Sequence, residues 1–184
     1  ILRKVNDVVA HVKLAELCQV AGKFDRGLEV LDVLDDAPLI LRSELLGQVD
    51  RLPEAIECCD LILNSDVCFY SDSRINQVVN NKICWLERIG DSSALIKLAD
   101  EDISQSKFDT STKLHLAEVL LGMGKISESL RLARLCRVDR SGLPHCMAII
   151  AAIAYIFDRN DLAARCVSFL GKTDTLMFAR VMRY

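Results

Sequence analysis

Proline and glycine are scarce in this chain, with three and eight among 184 residues. That scarcity disfavours both a disordered polymer and a turn-rich β-sandwich. Aromatics are also few, at 5%, although 51% of residues are hydrophobic, so Ala, Leu, Ile and Val must fill the core. Positive charge is not in excess. Charged residues make up 27% and the net charge is −3, a balance that excludes general nucleic-acid affinity by the chain itself. Long apolar runs are missing too. The longest, Cys146 to Phe157, covers 12 residues, against the roughly 20 that a membrane-crossing helix needs. It reads as a helix buried on all sides. Ile1-Leu2-Arg3-Lys4 lacks the features of a signal peptide. The chain opens without Met, and both ends look cut, so a piece of a longer protein is expected.

Cysteine is plentiful, yet no disulfide framework emerges. Cys18, Cys58, Cys59, Cys68, Cys84, Cys136, Cys146 and Cys166 fall mostly within apolar helical stretches, and no Cys-x-x-Cys pair occurs. A core of this size needs no stapling, so reduced packing thiols in a cytoplasmic protein are expected. The three histidines, His11, His115 and His145, are scattered, and only His145-Cys146 forms a close His/Cys pair. No metal, cofactor or catalytic set is expected from that pattern. Gly122-Met123-Gly124-Lys125 is followed by Ile126 rather than Ser or Thr and has no strand before it. It reads as a helix end, not a phosphate loop.

What the chain does have is a phrase said twice. Leu14-Ala15-Glu16, Gly22-Lys23-Phe24 and Leu28 return as Leu116-Ala117-Glu118, Gly124-Lys125-Ile126 and Leu130, each 102 residues later, or three times 34. Turn residues at Gly22, Asp50, Gly90, Gly124 and Asn160 divide the sequence into apolar helical pairs, at spacings of 28, 40, 34 and 36. Helical hairpins are expected at about 8–38, 39–64, 72–103, 110–138 and 143–171, with a final helix at 173–184. In the second, Arg42-Ser43 replaces the large-small pair found at Leu14-Ala15. In the fifth, Arg159-Asn160-Asp161 is the turn, and the register is open by one residue because Ala163-Ala164-Arg165 arrives one position early relative to the other units.

On these residues and this period the chain resembles the tetratricopeptide repeat family over nearly its whole length. No unit carries the family's helix-A Trp or Tyr, which leaves a sister helical repeat of similar period open. The resemblance implies an all-α fold: a right-handed α-α superhelix of about five hairpins plus a terminal helix, in one domain spanning 1–184. It implies a non-catalytic scaffold that holds a peptide or helix of a protein partner in a concave groove lined by the first helix of each hairpin. The alternatives are a regulatory or organising segment of a larger enzyme or transcription regulator, or a structural repeat that self-associates through its terminal helix.

Aligned on the turns, Glu16, Glu44 and Glu118 occupy one position, six residues before the turn. In the related fold that position faces the groove. Cys84 stands there in the third unit, with Glu87 and Asn80 nearby. Glu16, Glu44, Asn80, Glu87 and Glu118 are therefore the candidate partner-binding residues, suited to a basic peptide. The family's grip on acidic chaperone tails is not implied, because Val12 and Glu16 stand where its Lys and Asn would be. Arg131, Arg134 and Arg137 form a ridge expected to be solvated near a helix end. Asp100-Glu101-Asp102 is likewise expected to be a solvated face.

Overall fold

The computed structural model describes residues 2–34, 38–65, 71–105, 107–137 and 142–170, with side chains from residue 7 onward. The expected final helix at 173–184, Val138 and Cys68 lie outside them. Among the described residues there are ten helices and no strand. They are α1 Leu2–Val20, α2 Phe24–Asp32, α3 Leu39–Gln48, α4 Leu52–Asn64, α5 Asp72–Ile89, α6 Ser92–Gln105, α7 Thr110–Gly122, α8 Ile126–Cys136, α9 Leu143–Ile156 and α10 Asn160–Leu170. The odd-numbered helices are called A helices below, and the even-numbered ones B helices. The expected all-α fold is the fold observed. The packing resolves into two compact units, Ile1–Ile89 and Gly90–Tyr184, where one domain was expected.

The turns follow from backbone chemistry. Gly22, Asp50, Gly90, Gly124 and Asp158 all have positive φ, between 54° and 75°. Glycine takes this left-handed conformation without a Cβ penalty, and Asp tolerates it better than most residues. The amide after the turn residue reaches back to close the end of the A helix. Lys23 N donates to Cys18 O at 2.8 Å, Arg51 N to Leu46 O at 3.0 Å, Lys125 N to Leu120 O at 2.8 Å, and Arg159 N to Ala154 O at 2.8 Å. This is the Schellman closure. Each of these four residues is basic, which suits the negative end of the A-helix dipole. An acidic residue follows in the first turn of the B helix of each of these four hairpins: Asp25, Glu54, Glu128 and Asp161.

The fifth hairpin corrects the sequence register. Its turn residue is Asp158 rather than Asn160, which places it 34 residues after Gly124. Ala163 then falls five residues after the turn, as do Gly27, Ala55 and Ser129 in their own hairpins. The apparent one-residue shift disappears.

That position and the one seven residues before the turn form the A–B crossing. The pairs are Ala15 with Gly27, Ser43 with Ala55, Ala117 with Ser129, and Ala151 with Ala163, all buried. Small residues let two helix backbones approach closely. A Cβ on Gly27 would sit 3.5 Å from the Ala15 carbonyl oxygen, and Ser129 Oγ donates to the equivalent Ala117 oxygen at 2.7 Å. The third hairpin differs, with Ile83 and Leu95 in the two places. The division between the two units falls within that hairpin.

In the first unit, a side chain of α5 seats in a notch on α3. A Cβ on Gly47 would lie 2.2 Å from Trp85 Cζ2, so the indole occupies the space a side chain would take. Arg88 lies over the same ring at 5.4 Å from its centroid. Its guanidinium also donates to Gly47 O at 2.7 Å and to Asp50 Oδ1 at 2.8 Å. Sequence reading places Trp85 on an apolar face, where it is found, but does not reveal the glycine beneath it.

Gly47→Ala should therefore cost about 3 kcal/mol, because indole and backbone must both move to admit a methyl group. Gly22→Ala, with open space around it but a φ of 68°, should cost only about 1 kcal/mol. Urea denaturation followed by Trp85 fluorescence measures both, and Gly47→Ala should also shift the folded-state emission.

Candidate functional site

The three carboxylates aligned by the sequence have three different environments. Glu16, on α1, is half-exposed and its Oε2 accepts from Lys13 Nζ at 2.6 Å on the same helix. Glu44, on α3, is partly buried and is shared between two neighbouring A helices. Its Oε2 accepts from Gln19 Nε2 of α1 at 3.0 Å. Its Oε1 accepts from Gln77 Nε2 of α5 at 2.7 Å, with Asn81 Nδ2 at 3.4 Å. One carboxylate thus orients three amide side chains.

Glu118 departs from the expectation of a groove-facing acid. It is 2% exposed, inside the second unit, and its Oε2 lies 3.3 Å from His145 Nε2 of α9. This is ion-pair distance without hydrogen-bond alignment. The physical reason is that α7 is packed by α6, α8 and α9, which leaves it almost no free face.

A shared rule underlies Glu44 and Glu118. Gln77 and His145 each stand thirteen residues before their own turn residue, Gly90 and Asp158. The acid six residues before one turn therefore meets the polar residue thirteen before the next, tying successive A helices together. At Glu16 the corresponding place in the second hairpin is residue 37, outside the described residues. Sequence reading misses Gln19, Gln77, Asn81 and His145. For Gln77 and His145 the signal is the spacing to their own turn, visible for His145 only once Asp158 replaces Asn160 as the fifth turn; Gln19 and Asn81 do not share it.

Of the other candidates, Asn80 is partly buried and Glu87 exposed, both on α5. The structure brings Glu44 together with Asn81 rather than with Asn80. Arg131 and Arg134 on α8 and Arg137 at its C-terminal cap are exposed as expected, and Arg131 pairs with Asp100 at 3.1 Å. The solvated-face reading holds for Asp100 and Glu101 but not for Asp102, which is buried. Asp102 Oδ1 accepts from Phe108 N at 2.8 Å, and Oδ2 faces Lys113 Nζ at 3.7 Å. It secures the connection into α7, an end that a helix-surface reading does not anticipate.

The cysteines are packing groups. Among the seven described, all but Cys84 are buried and none is in a disulfide. Burial pushes the Cys59 thiol up to about 11, although its contact with Ser43 Oγ at 3.2 Å works in the opposite direction. Burial likewise raises Cys58, Cys84, Cys146 and Cys166. Thiols held protonated in this way are poor nucleophiles. Among the described residues, no group of three or more His, Cys, Asp or Glu is placed to hold a metal ion. No described helix is long and apolar enough to cross a membrane.

No known family profile matches the chain, and no curated protein matches it by sequence. Solved structures do match. YrrB, described as a TPR protein with an unusual peptide-binding site, superposes with a TM-score of 0.65 at 10% identity, over 100% of this chain and 96% of its own. Pseudomonas aeruginosa PilF gives a TM-score of 0.62 at 15% identity, over 96% of this chain and 81% of its own. The fold is therefore a tetratricopeptide-like helical repeat.

Truncation should rank the three acids by environment. Glu16→Ala should cost under about 0.5 kcal/mol, as an exposed pair. Glu44→Ala should cost about 1 kcal/mol. Glu118→Ala should cost about 2–4 kcal/mol, because it breaks a buried pair. Thermal or urea unfolding of the three variants measures the order.

Proposed function

We propose that the chain is a non-catalytic scaffold that binds a peptide or helix of a protein partner on the A-helix face of its first unit. The observation that carries this reading is the cluster of Gln19, Gln77 and Asn81 around Glu44. Each amide uses one N–H on the carboxylate and retains a second N–H and a carbonyl oxygen. Those are the groups that pair with a peptide backbone. Because Glu44 already holds the amides in place, less ordering entropy opposes binding.

The charge of the face favours a basic partner. Glu44, the half-exposed Glu16 and the exposed Glu87 contribute negative field, with Asn80 as a further amide on α5. Glu118 is left out of the contact set because it is buried. The fold of YrrB, described by its peptide-binding site, supports the class of ligand and not its identity. The setting we propose is the cytoplasm, where buried thiols of this kind stay reduced.

A random peptide display library panned against the whole chain tests the proposal. Peptides enriched in Lys and Arg should be selected, and their affinity, followed by fluorescence anisotropy, should fall with added salt. Glu44→Ala should weaken binding about tenfold, the order expected for losing one charged contact and its amide anchors. Reversal of Arg131 and Arg134 to Glu should leave it unchanged. Failure to select any peptide, or selected peptides indifferent to Glu44, would refute the proposal.

A further inference from the structure

Outside α1 and the three residues before a turn, every exposed large apolar side chain among the described residues obeys one rule. Val33, Leu61, Leu135 and Phe169 each stand eleven residues after a turn residue, on or beside the end of a B helix. The third hairpin departs from it, with Glu101 in that place. The four are 70%, 54%, 51% and 37% exposed. Leu135 stays half-open although α8 is packed by α6, α7 and α9. The row is therefore a property of the B-helix face and not of an uncovered end of the stack.

What flanks the row differs between the units. Seven and ten residues after the turn stand Glu29 and Asp32 in the first hairpin, and Glu57 and Asp60 in the second. Glu29, Asp32 and Asp60 are already paired, with Arg26, Arg42 and Lys82. In the second unit Arg131 and Arg134 on α8 hold these places, as does Arg165 on α10, and all three are exposed. Arg131, seven after its turn, meets Asp100, ten after the turn before, at 3.1 Å. One hairpin later the same offsets fall on Arg165 and Arg134, so a second guanidinium stands where the acid was. Among the described residues neither has an acidic partner, and Asp161, one turn before Arg165, is held by Arg159 at 3.8 Å.

We infer that the B-helix face of the second unit docks an acidic, amphipathic segment of a protein partner. Its carboxylates meet Arg134 and Arg165, offsetting two unpaired like charges with charge-assisted hydrogen bonds. Its apolar side chains cover Leu135 and Phe169, which lie four residues after Arg131 and Arg165 on the same helix faces. That apolar row favours a protein over a nucleic acid, whose backbone offers phosphates without aliphatic surface. A second copy of the chain is the poorer complement, because the acids of the first unit are mostly paired within it. Exposed ion pairs are individually weak, so the dissociation constant should be about 100 µM to 1 mM. Binding that weak is lost in the washes of a panning experiment. The site is separate from the Glu44 cluster, with the other unit, the other set of helices and the opposite charge.

Fluorescence anisotropy tests it, with a labelled helical peptide carrying Leu or Phe at every third or fourth position and Glu between, titrated with the whole chain. Affinity should fall with added salt. Arg134→Gln with Arg165→Gln should weaken binding about tenfold, and Leu135→Ser about threefold, each with an unchanged circular dichroism spectrum. Leu61→Ser, at the same row position beside Glu57, should leave the affinity as it was. Should a variant misfold, the salt dependence and a peptide with Ser at its apolar positions decide instead. No binding at millimolar chain would overturn the inference, as would an affinity indifferent to the two arginines or to the peptide's apolar residues. So would tighter binding of a single-stranded oligonucleotide, or self-association of the chain that the arginine double variant abolishes.

Discussion

The close crossing of two helices at a pair of small residues is the contact on which each regular hairpin depends. A helix presents a bulky cylinder, and two of them approach within backbone range only where both lack side-chain volume. Ala15 with Gly27 and Ala117 with Ser129 supply that in units separated by 102 residues. The left-handed turn residue fixes the phase of both helices, since the crossing pair always lies seven before and five after it. Ser129 uses the proximity to donate to the Ala117 carbonyl, so even the polar crossing residue is satisfied. With the crossing set, the next apolar side chain has a defined notch to fill, as Leu45 does at Gly27.

Sequence period and turn chemistry are enough to read the hairpins, because glycine and small-residue spacings are local signals. The fifth turn is misplaced by sequence because Arg159-Asn160-Asp161 looks like turn composition, whereas the backbone bends one residue before it, at Asp158. Period alone corrects this, since 34 residues after Gly124 is Asp158. The candidate site is legible only in part. Equal distance from a turn does place Glu16, Glu44 and Glu118 at equivalent points on their helices. It does not say how many neighbours each helix has. Glu118 sits on a helix packed by three others, while Glu16 sits on a helix with an open outer face. Asp102 shows the same limit: an acidic run near a helix end gives no hint that one member turns inward to cap the next connection.

One side-chain position therefore does two jobs. At Glu118 the acid is enclosed with His145 and acts as a tie between A helices. At Glu44 the tie remains, through Gln77, but it is only partly buried and gathers two further amides. The two differ in burial and in partner, an imidazole at one and amides at the other. An acid that ties two helices together in one unit becomes, with more exposure, an organiser of three amide side chains in the other.

The most direct test of that account is to follow the side-chain amide resonances of Gln19, Gln77 and Asn81 by two-dimensional NMR as a panned peptide is added to the whole chain. The account predicts that the three move together and saturate with the binding curve, while resonances of α8 stay in place. Amides that do not move while the B helices respond would contradict it.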